Sequence, residues 1–269
     1  MLPDPVVSDT APGSTLALPA AALYRTGAII RHNTILFLRE PAPLIGRIVL
    51  PLVFLALLHP LYQAAQGPAM GTAQAVIATL VTFSLLALSI AGSSILTERI
   101  WHTWERVRAT AARPAELLAG KAVPVMAALL LQQTIIVGFG VAVLGLTVAS
   151  PSLLMLALLA WTVALLAMGT ALGVVARSMS EMSLGYDIGG MILSSLGGAL
   201  VPLSAMPDWM RHVAPASPGY WAVSALHAAL NGDGAGTVRA CAVLIGFAVA
   251  IALVAALRAG RGAARSARM

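Results

Sequence analysis

The one long internal segment dense in charge runs from Thr97 to Lys121, TERIWHTWERVRATAARPAELLAGK. Glu98, Arg99, Glu105, Arg106, Arg108, Arg113, Glu116 and Lys121 stand there between long apolar runs. Read as a helix from Leu96, the stretch places Ile100, Trp101, Trp104, Val107 and Ala111 on one face and most of Glu98, Arg99, Glu105 and Arg106 on the other. A short amphipathic helix with a tryptophan-rich side and a charged side suits docking, on a membrane surface or in the groove of a soluble partner. Groups that make or break bonds are sparse by comparison. There is no HExxH, no Ser/His/Asp spacing and no pair of carboxylates inside an apolar run. Cys241 lies within such a run, which implies neither a disulfide framework nor thiol chemistry.

The composition says what positions that stretch. Of 269 residues, 59% are hydrophobic and only 10% charged, and mean hydropathy is +0.90. Soluble domains carry roughly 25% charged residues, so this chain cannot cover a water-facing surface and reads as an integral membrane protein. The net charge of +6 comes from basic residues at the edges of apolar runs, which points to membrane topology rather than nucleic acid. Lys121 is the sole lysine, and with the abundance of alanine this suggests a GC-rich bacterial genome, a matter of codons rather than physics. No basic region followed by an apolar core and a cleavage site opens the chain, so no signal peptide is expected.

Residues 1–18 are rich in Pro, Ser, Thr, Asp and Ala and are expected to form a disordered tail. A helix is expected from Pro19 to Glu40, closed by Pro41 and Pro43. Arg25, His32, Asn33, Arg39 and Glu40 share one side of it, opposite Leu23, Gly27, Ile30, Thr34, Phe37 and Leu38, which suits an interfacial helix. A spanning helix needs about 20 apolar residues. Six stretches meet or approach that: 44–62, 72–96, 122–148, 152–176, 186–205 and 237–257. Residues 259–269 form a basic tail. The fold class expected is therefore an all-α membrane protein with six transmembrane helices.

Basic residues sort the connections. The 63–71 and 149–151 loops have none, the 97–121 loop has five, Arg177 follows the fourth span, and Arg258, Arg261, Arg265 and Arg268 follow the sixth. The positive-inside rule then places both termini in the cytoplasm, with Arg211 and Arg239 as the outer exceptions. The connection between spans five and six is cut by Pro207, Pro215 and Pro218 and carries Trp209, Tyr220 and Trp221. It reads as two short helices forming a re-entrant element in the outer leaflet, whose turn must pack on protein or reach water because lipid cannot satisfy bare backbone.

This arrangement resembles the ABC-2 type permeases, the family of the daunorubicin and multidrug exporter permeases. The family's first inner loop reads approximately E-R-x-x-G-T-x-E-R-L-x-x-(S/T)-P and ends in E-L-L-x-G-K. The matching residues are Glu98-Arg99, Thr103-Trp104-Glu105-Arg106-Val107, Thr110 and Glu116-Leu117-Leu118-Ala119-Gly120-Lys121. A second similar stretch is Val201-Pro202-Leu203-Ser204, Met206-Pro207-Asp208-Trp209-Met210 and Ser217-Pro218 with Tyr220. His102 stands where the family usually has Gly, Ala111 where Pro is frequent, and His227 where Arg is common. The resemblance makes 19–258 an ABC-2 type transmembrane domain. It implies a homo- or heterodimer of permease subunits joined to separate ABC ATPase subunits, which bind the ATP and Mg and act on the spans through the 97–113 helix. In keeping with that division, GxxxxGK[ST] is absent: Gly120-Lys121 precedes Ala122, and position 115 is alanine. No metal or cofactor is expected on this chain itself.

The resemblance assigns ATPase coupling to Glu98, Arg99, Trp101, Thr103, Trp104, Glu105, Arg106 and Arg108. The plainer alternative is a cytoplasmic loop whose basic residues only set topology, although topology gives little reason for Glu98, Glu105, Glu116 or two tryptophans. Arg177 and Glu181 in the fourth-to-fifth loop are a second candidate ATPase contact or a solvated turn. Asp187 can instead favour the start of its helix through the dipole. The resemblance also implies a substrate path lined by spans two and five, with Thr79, Thr82, Phe83, Leu86, Met191, Ser194 and Ser195 as its candidates; ordinary helix packing is the plainer alternative. Their weak polarity fits a hydrophobic or amphiphilic substrate. Arg47, near the inner end of span one, either snorkels to the interface or touches substrate. Gly169/Gly173 and Gly185/Gly189 make GxxxG pairs that mark a dimer contact or a flexible wall.

Three functions compete at this level. The first is the permease subunit of an ATP-driven exporter of drugs or lipids. The second is an intramembrane lipid-modifying enzyme using His212, Asp208, His227 and His59. The third is a non-transporting membrane anchor for an ATPase.

Overall fold

The computed structural model describes residues 17–39, 41–100 and 114–266, and among these every regular element is helical. We number the α-helices α1 (Ala17–Arg39), α2 (Pro41–Gln66), α3 (Pro68–Leu86), α4 (Leu88–Ile100), α5 (Pro114–Leu144), α6 (Pro151–Val175), α7 (Met179–Leu196), α8 (Asp208–Val213), α9 (Pro218–Leu230) and α10 (Gly234–Ser266). Local sequence sets most of these limits. Proline is the first residue of α2, α3, α5, α6 and α9, where its missing N–H has no intrahelical partner to lose. Gly67, Gly145, Gly198 and Gly232, in the turns that follow helices, have φ between 72° and 83°, a conformation costly for any side chain with a Cβ.

Among the described residues five stretches are long and apolar enough to cross a bilayer: Ile45–Gln66, Pro68–Thr97, Gly120–Leu144, Pro151–Val175 and Gly234–Arg258. They coincide with expected spans one, two, three, four and six. Expected span five, 186–205, is different. Its helix, α7, starts earlier, at Met179, stops at Leu196, and carries Glu181 and Asp187. The stop is a Schellman motif, with Ala199 N–H on Ser194 O (3.1 Å), Gly198 N–H on Ser195 O (3.2 Å) and Gly198 at φ 81°. The same motif, around Gly232, ends α9: Asp233 N–H bonds Ala228 O and Gly232 N–H bonds Ala229 O. Span two is also interrupted. Ala87 separates α3 from α4, one turn after the Ser84 hydroxyl donates back to Leu80 O and competes for that carbonyl.

The α3–α4 pair is the centre of the bundle. In its most apolar window 83% of residues are buried, against 50% or less for the other four candidate spans. α3 packs on α2, α5, α7 and α9, while α4 packs on α6 and α7; α10 runs along α6 and α9, and α1 lies on α5. The α4–α6 crossing is set by glycine. A methyl group added at Gly173 would sit 2.6 Å from Gly92 O, and one at Gly169 would sit 2.6 Å from the Ala91 Cβ. The Gly169/Gly173 pair is thus used inside this chain, where close backbone approach needs small residues. Gly185 faces the Leu172 side chain, and nothing lies within 4 Å of a methyl at Gly189.

The two short helices expected in the 206–236 connection are α8 and α9. α9 is more deeply embedded than a surface element: Ala222, Val223, Ala225, Leu226, Ala229 and Leu230 are all buried, against α3, α6, α7 and α10.

Candidate functional site

Two ends of the bundle carry the polar side chains. The basic end, where Thr97, Lys121 and Arg177 lie, is organised by a small cluster of Leu96, Ala176 and Met182, with Leu172 and Tyr186 packed against it. Leu96 is the last buried residue of α4 before the charged stretch, and Ala176 and Met182 flank the turn between α6 and α7. The stem of the charged stretch and the Arg177/Glu181 turn are therefore neighbours.

Within that turn Ser178 caps α7. Its Oγ accepts the Glu181 N–H at 3.1 Å, and the Glu181 carboxylate accepts the Arg177 N–H at 2.8 Å. This is a capping box shifted by one residue, and Ser-Met-Ser-Glu is its sequence signature. Glu181 thus has a local role in ordering the turn, while both Arg177 and Glu181 remain exposed. Ser178→Ala should cost about 1 kcal/mol, seen as a lower unfolding midpoint of the purified chain. Trp101, Thr103, Trp104, Glu105, Arg106 and Arg108 lie outside the described residues. Glu98 and Arg99 belong to the last turn of the α4 backbone.

On the same end α1 meets α5. Asn33 Nδ2 donates to Gly120 O at 3.2 Å and Ile29 fills the space beside Gly120. Asn33, expected on a water-facing side, instead points into the chain. Leu23, Tyr24, Leu36 and Leu38 are exposed, an apolar surface that a bilayer can cover.

At the opposite end a polar network closes the turn after α7. Gln74 of α3 donates from Nε2 to Gly198 O (3.0 Å) and Ala199 O (2.7 Å). Tyr62 of α2 donates to Leu200 O at 2.7 Å. Three successive carbonyls freed where the helix stops are therefore satisfied by side chains, as a non-polar surrounding demands. With both amide hydrogens of Gln74 used, its Oε1 must accept from His227 Nε2 at 3.0 Å, which fixes the proton on Nε2. Burial holds the His227 imidazole below its ordinary pKa, so it is neutral. Gln74→Leu should destabilise the chain by about 1–3 kcal/mol, the cost of stranding buried partners, measured as a lower unfolding midpoint in detergent. Sequence reasoning missed Gln74 and Tyr62. The usable signal was an amide alone in an apolar run.

Next to this turn α2 and the segment 200–205 enclose a cleft of ≈ 310 Å³ lined by Leu58, Leu61, Tyr62, Leu200, Pro202 and Ser204 among others. α9 is held by Ser217, whose Oγ donates to Leu193 O, and by Trp221 Nε1, which donates to Pro215 O at 2.8 Å.

The proposed substrate-path residues divide. Thr82 and Ser194 are buried and share a hydrogen bond of 2.5 Å between α3 and α7. Thr79 is buried, its hydroxyl without a hydrogen-bond partner among the described residues. Phe83 is half-buried and meets Phe54 of α2 edge-on, with ring centroids 5.4 Å apart. Leu86 and Ser195 are half-buried and Met191 is exposed.

The histidines considered for catalysis do not converge. His59 bonds Thr72, His227 bonds Gln74, and His212 bonds the backbone carbonyl of Asp208. The Asp208 carboxylate pairs with Arg211, whose guanidinium meets it at 2.9 Å, an i,i+3 pair on one helix face. Among the described residues no group of His, Cys, Asp and Glu could hold a metal ion.

No curated protein shows significant similarity to this chain. The family model described as ABC-2 type transporter matches residues 24–231, which includes α2 to α9 and the charged stretch. The chain belongs to the ABC-2 type transporter family and is a multi-pass membrane permease.

Proposed function

We propose that the chain is the membrane-spanning subunit of an ATP-driven exporter that moves hydrophobic or amphiphilic molecules, drugs or lipids, across the bacterial cytoplasmic membrane. Two permease subunits, identical or not, work with separate ABC ATPase subunits that hold the ATP and Mg. In this reading the basic end is cytoplasmic, both termini lie there, and α7 is the fifth of six crossings. An 18-residue helix is about 27 Å long at 1.5 Å per residue, close to the thickness of a hydrocarbon core. α8 and α9 form the re-entrant element on the outer side.

One observation carries the coupling part of the reading: Leu96 packs with Ala176 and Met182. A force applied to the Thr97–Arg113 segment reaches α4 directly, and through that cluster it reaches α6 and α7. α4 continues into α3, the most buried part of the bundle. A lever with such a seat can reorient the centre of the molecule, whereas a loop that only sets topology needs no seat. The test is co-purification of the full-length chain with its ATPase subunit. The reading expects retention to depend on Trp104, Glu105 and Arg106, with Arg177 contributing. Retention unaffected by their replacement would refute it.

A further inference from the structure

Between Gln74 and Gly92 every residue of the central α3–α4 pair is buried except three: Phe83, Leu86 and Ser89. They lie three residues apart and so form one strip along one face. The strip is flanked by α2 and α7, which both pack on α3 yet share no packed face with each other. The result is a slot open to the side. Phe54 of α2 meets Phe83 at its deeper end, and Tyr186 of α7 lies within electrostatic range of its shallower end.

At that shallower end Arg47 of α2 reaches in. Its Nη2 donates to Ser89 Oγ at 3.1 Å, while its Nη1 is buried with no hydrogen-bond partner among the described residues. Ser89 is a neutral hydroxyl, and no carboxylate pairs with Arg47 among the described residues. A guanidinium always carries its charge, and leaving a buried donor unmade costs about 1–3 kcal/mol, more for a charged group. A side chain that simply snorkelled would put both nitrogens in water. Ser89 lies eight residues before Thr97, about 12 Å along the helix, so the cation sits inside the end of the span. An ionisable side chain held there marks a ligand by default.

The slot thus has a polarity profile: a planar cation with an open donor near the basic end, and Leu86, Phe83 and Phe54 about 5–9 Å deeper. α2 and α7 also carry exposed apolar residues, among them Val49, Val53, Ile188 and Ile192, so lipid surrounds both helices that border the slot. We propose that this slot binds an anionic phospholipid of the cytoplasmic leaflet, its phosphate paired with Arg47 and Ser89 and its first acyl carbons on Leu86, Phe83 and Phe54. Guanidinium and phosphate match as a two-toothed pair, and that leaflet is the one rich in anionic lipid. The inference deepens the exporter reading by naming a substrate class, and rests on it only for which leaflet faces the basic end.

The test uses the full-length chain in phosphatidylcholine nanodiscs containing an equal amount of phosphatidylglycerol, with retained lipid counted by native mass spectrometry after release. The wild type should retain phosphatidylglycerol over phosphatidylcholine by roughly tenfold, because the choline cation of phosphatidylcholine offsets its own phosphate and repels Arg47, whereas phosphatidylglycerol presents its phosphate charge unopposed. Arg47→Gln should erase that preference and Arg47→Lys should restore part of it. Should Arg47→Gln fail to insert, Leu86→Trp, which fills the strip and keeps the cation, should also lower retained phosphatidylglycerol. Equal retention of both lipids by the wild type, or an unchanged preference in Arg47→Gln or Leu86→Trp, overturns the proposal. No ATPase enters this measurement, so its outcome is separable from that of the exporter reading.

Discussion

Gly173→Leu should leave the chain unable to form its native bundle, with a loss of more than about 3 kcal/mol in stability. The reason is backbone against backbone. The first added carbon already falls 2.6 Å from Gly92 O and 3.1 Å from Gly92 Cα, and neither atom can rotate away as a side chain could. To make room, α4 would have to separate from α6, breaking the Leu96–Ala176–Met182 cluster at its end. Protease sensitivity of the inserted chain and its unfolding midpoint in detergent read this out. Gly189→Ala is the contrasting control, since nothing lies within 4 Å of the new methyl; it should be neutral or stabilise α7 by up to about 1 kcal/mol through helix propensity. Loss of folding in both, or in neither, would contradict the packing described here.

The second large effect falls on function alone. Replacing Glu105 and Arg106 together by alanine should reduce ATP-driven export roughly tenfold or more, while membrane insertion and unfolding midpoint stay unchanged. Charged side chains paired across an interface lose about 2–5 kcal/mol when one partner is truncated, enough to release a docked subunit. A merely topological loop would behave in the reverse way. It would tolerate loss of the glutamate entirely, and any effect of the arginine would appear as misoriented protein. Export activity alongside an accessibility assay for the 97–121 loop separates the two.

Much of this architecture is legible in the sequence because lipid imposes simple demands. Apolar runs of about 20 residues announced the candidate spans, and prolines announced where α2, α3, α5, α6 and α9 begin. α7 was misjudged because hydropathy weighs Val201 and Leu203 as membrane residues, while the chain obeys Gly197-Gly198 and stops. The Ser178–Glu181 box, which sets the other end of that helix, was equally readable from its spacing. The two GxxxG pairs look alike as text. Only tertiary structure shows that Gly169/Gly173 receives the α4 backbone and that Gly189 faces open space.

The proposed substrate path shows the same limit. Thr82 and Ser194, candidates for a lining or for helix packing, bond to one another inside the bundle, a pairing that local pattern does not show. Period alone could not show which face of α3 stays open, because every face of that span is apolar. The Arg47–Ser89 contact and the Gln74–His227 bond across 153 positions of chain depend on how distant helices pack. Neither partner could be paired from local pattern.

The claim beneath the whole account is that the segment from Thr97 to Arg113 transmits work done by another subunit. The most direct test reconstitutes the full-length chain in vesicles with and without its ATPase subunit, then follows movement of a fluorescent phospholipid on addition of Mg-ATP. The account predicts movement only when both are present, and none when Glu105 and Arg106 are alanine. Movement of the lipid by the chain with no ATP-hydrolysing companion, at the rate of the complete assembly, would contradict it.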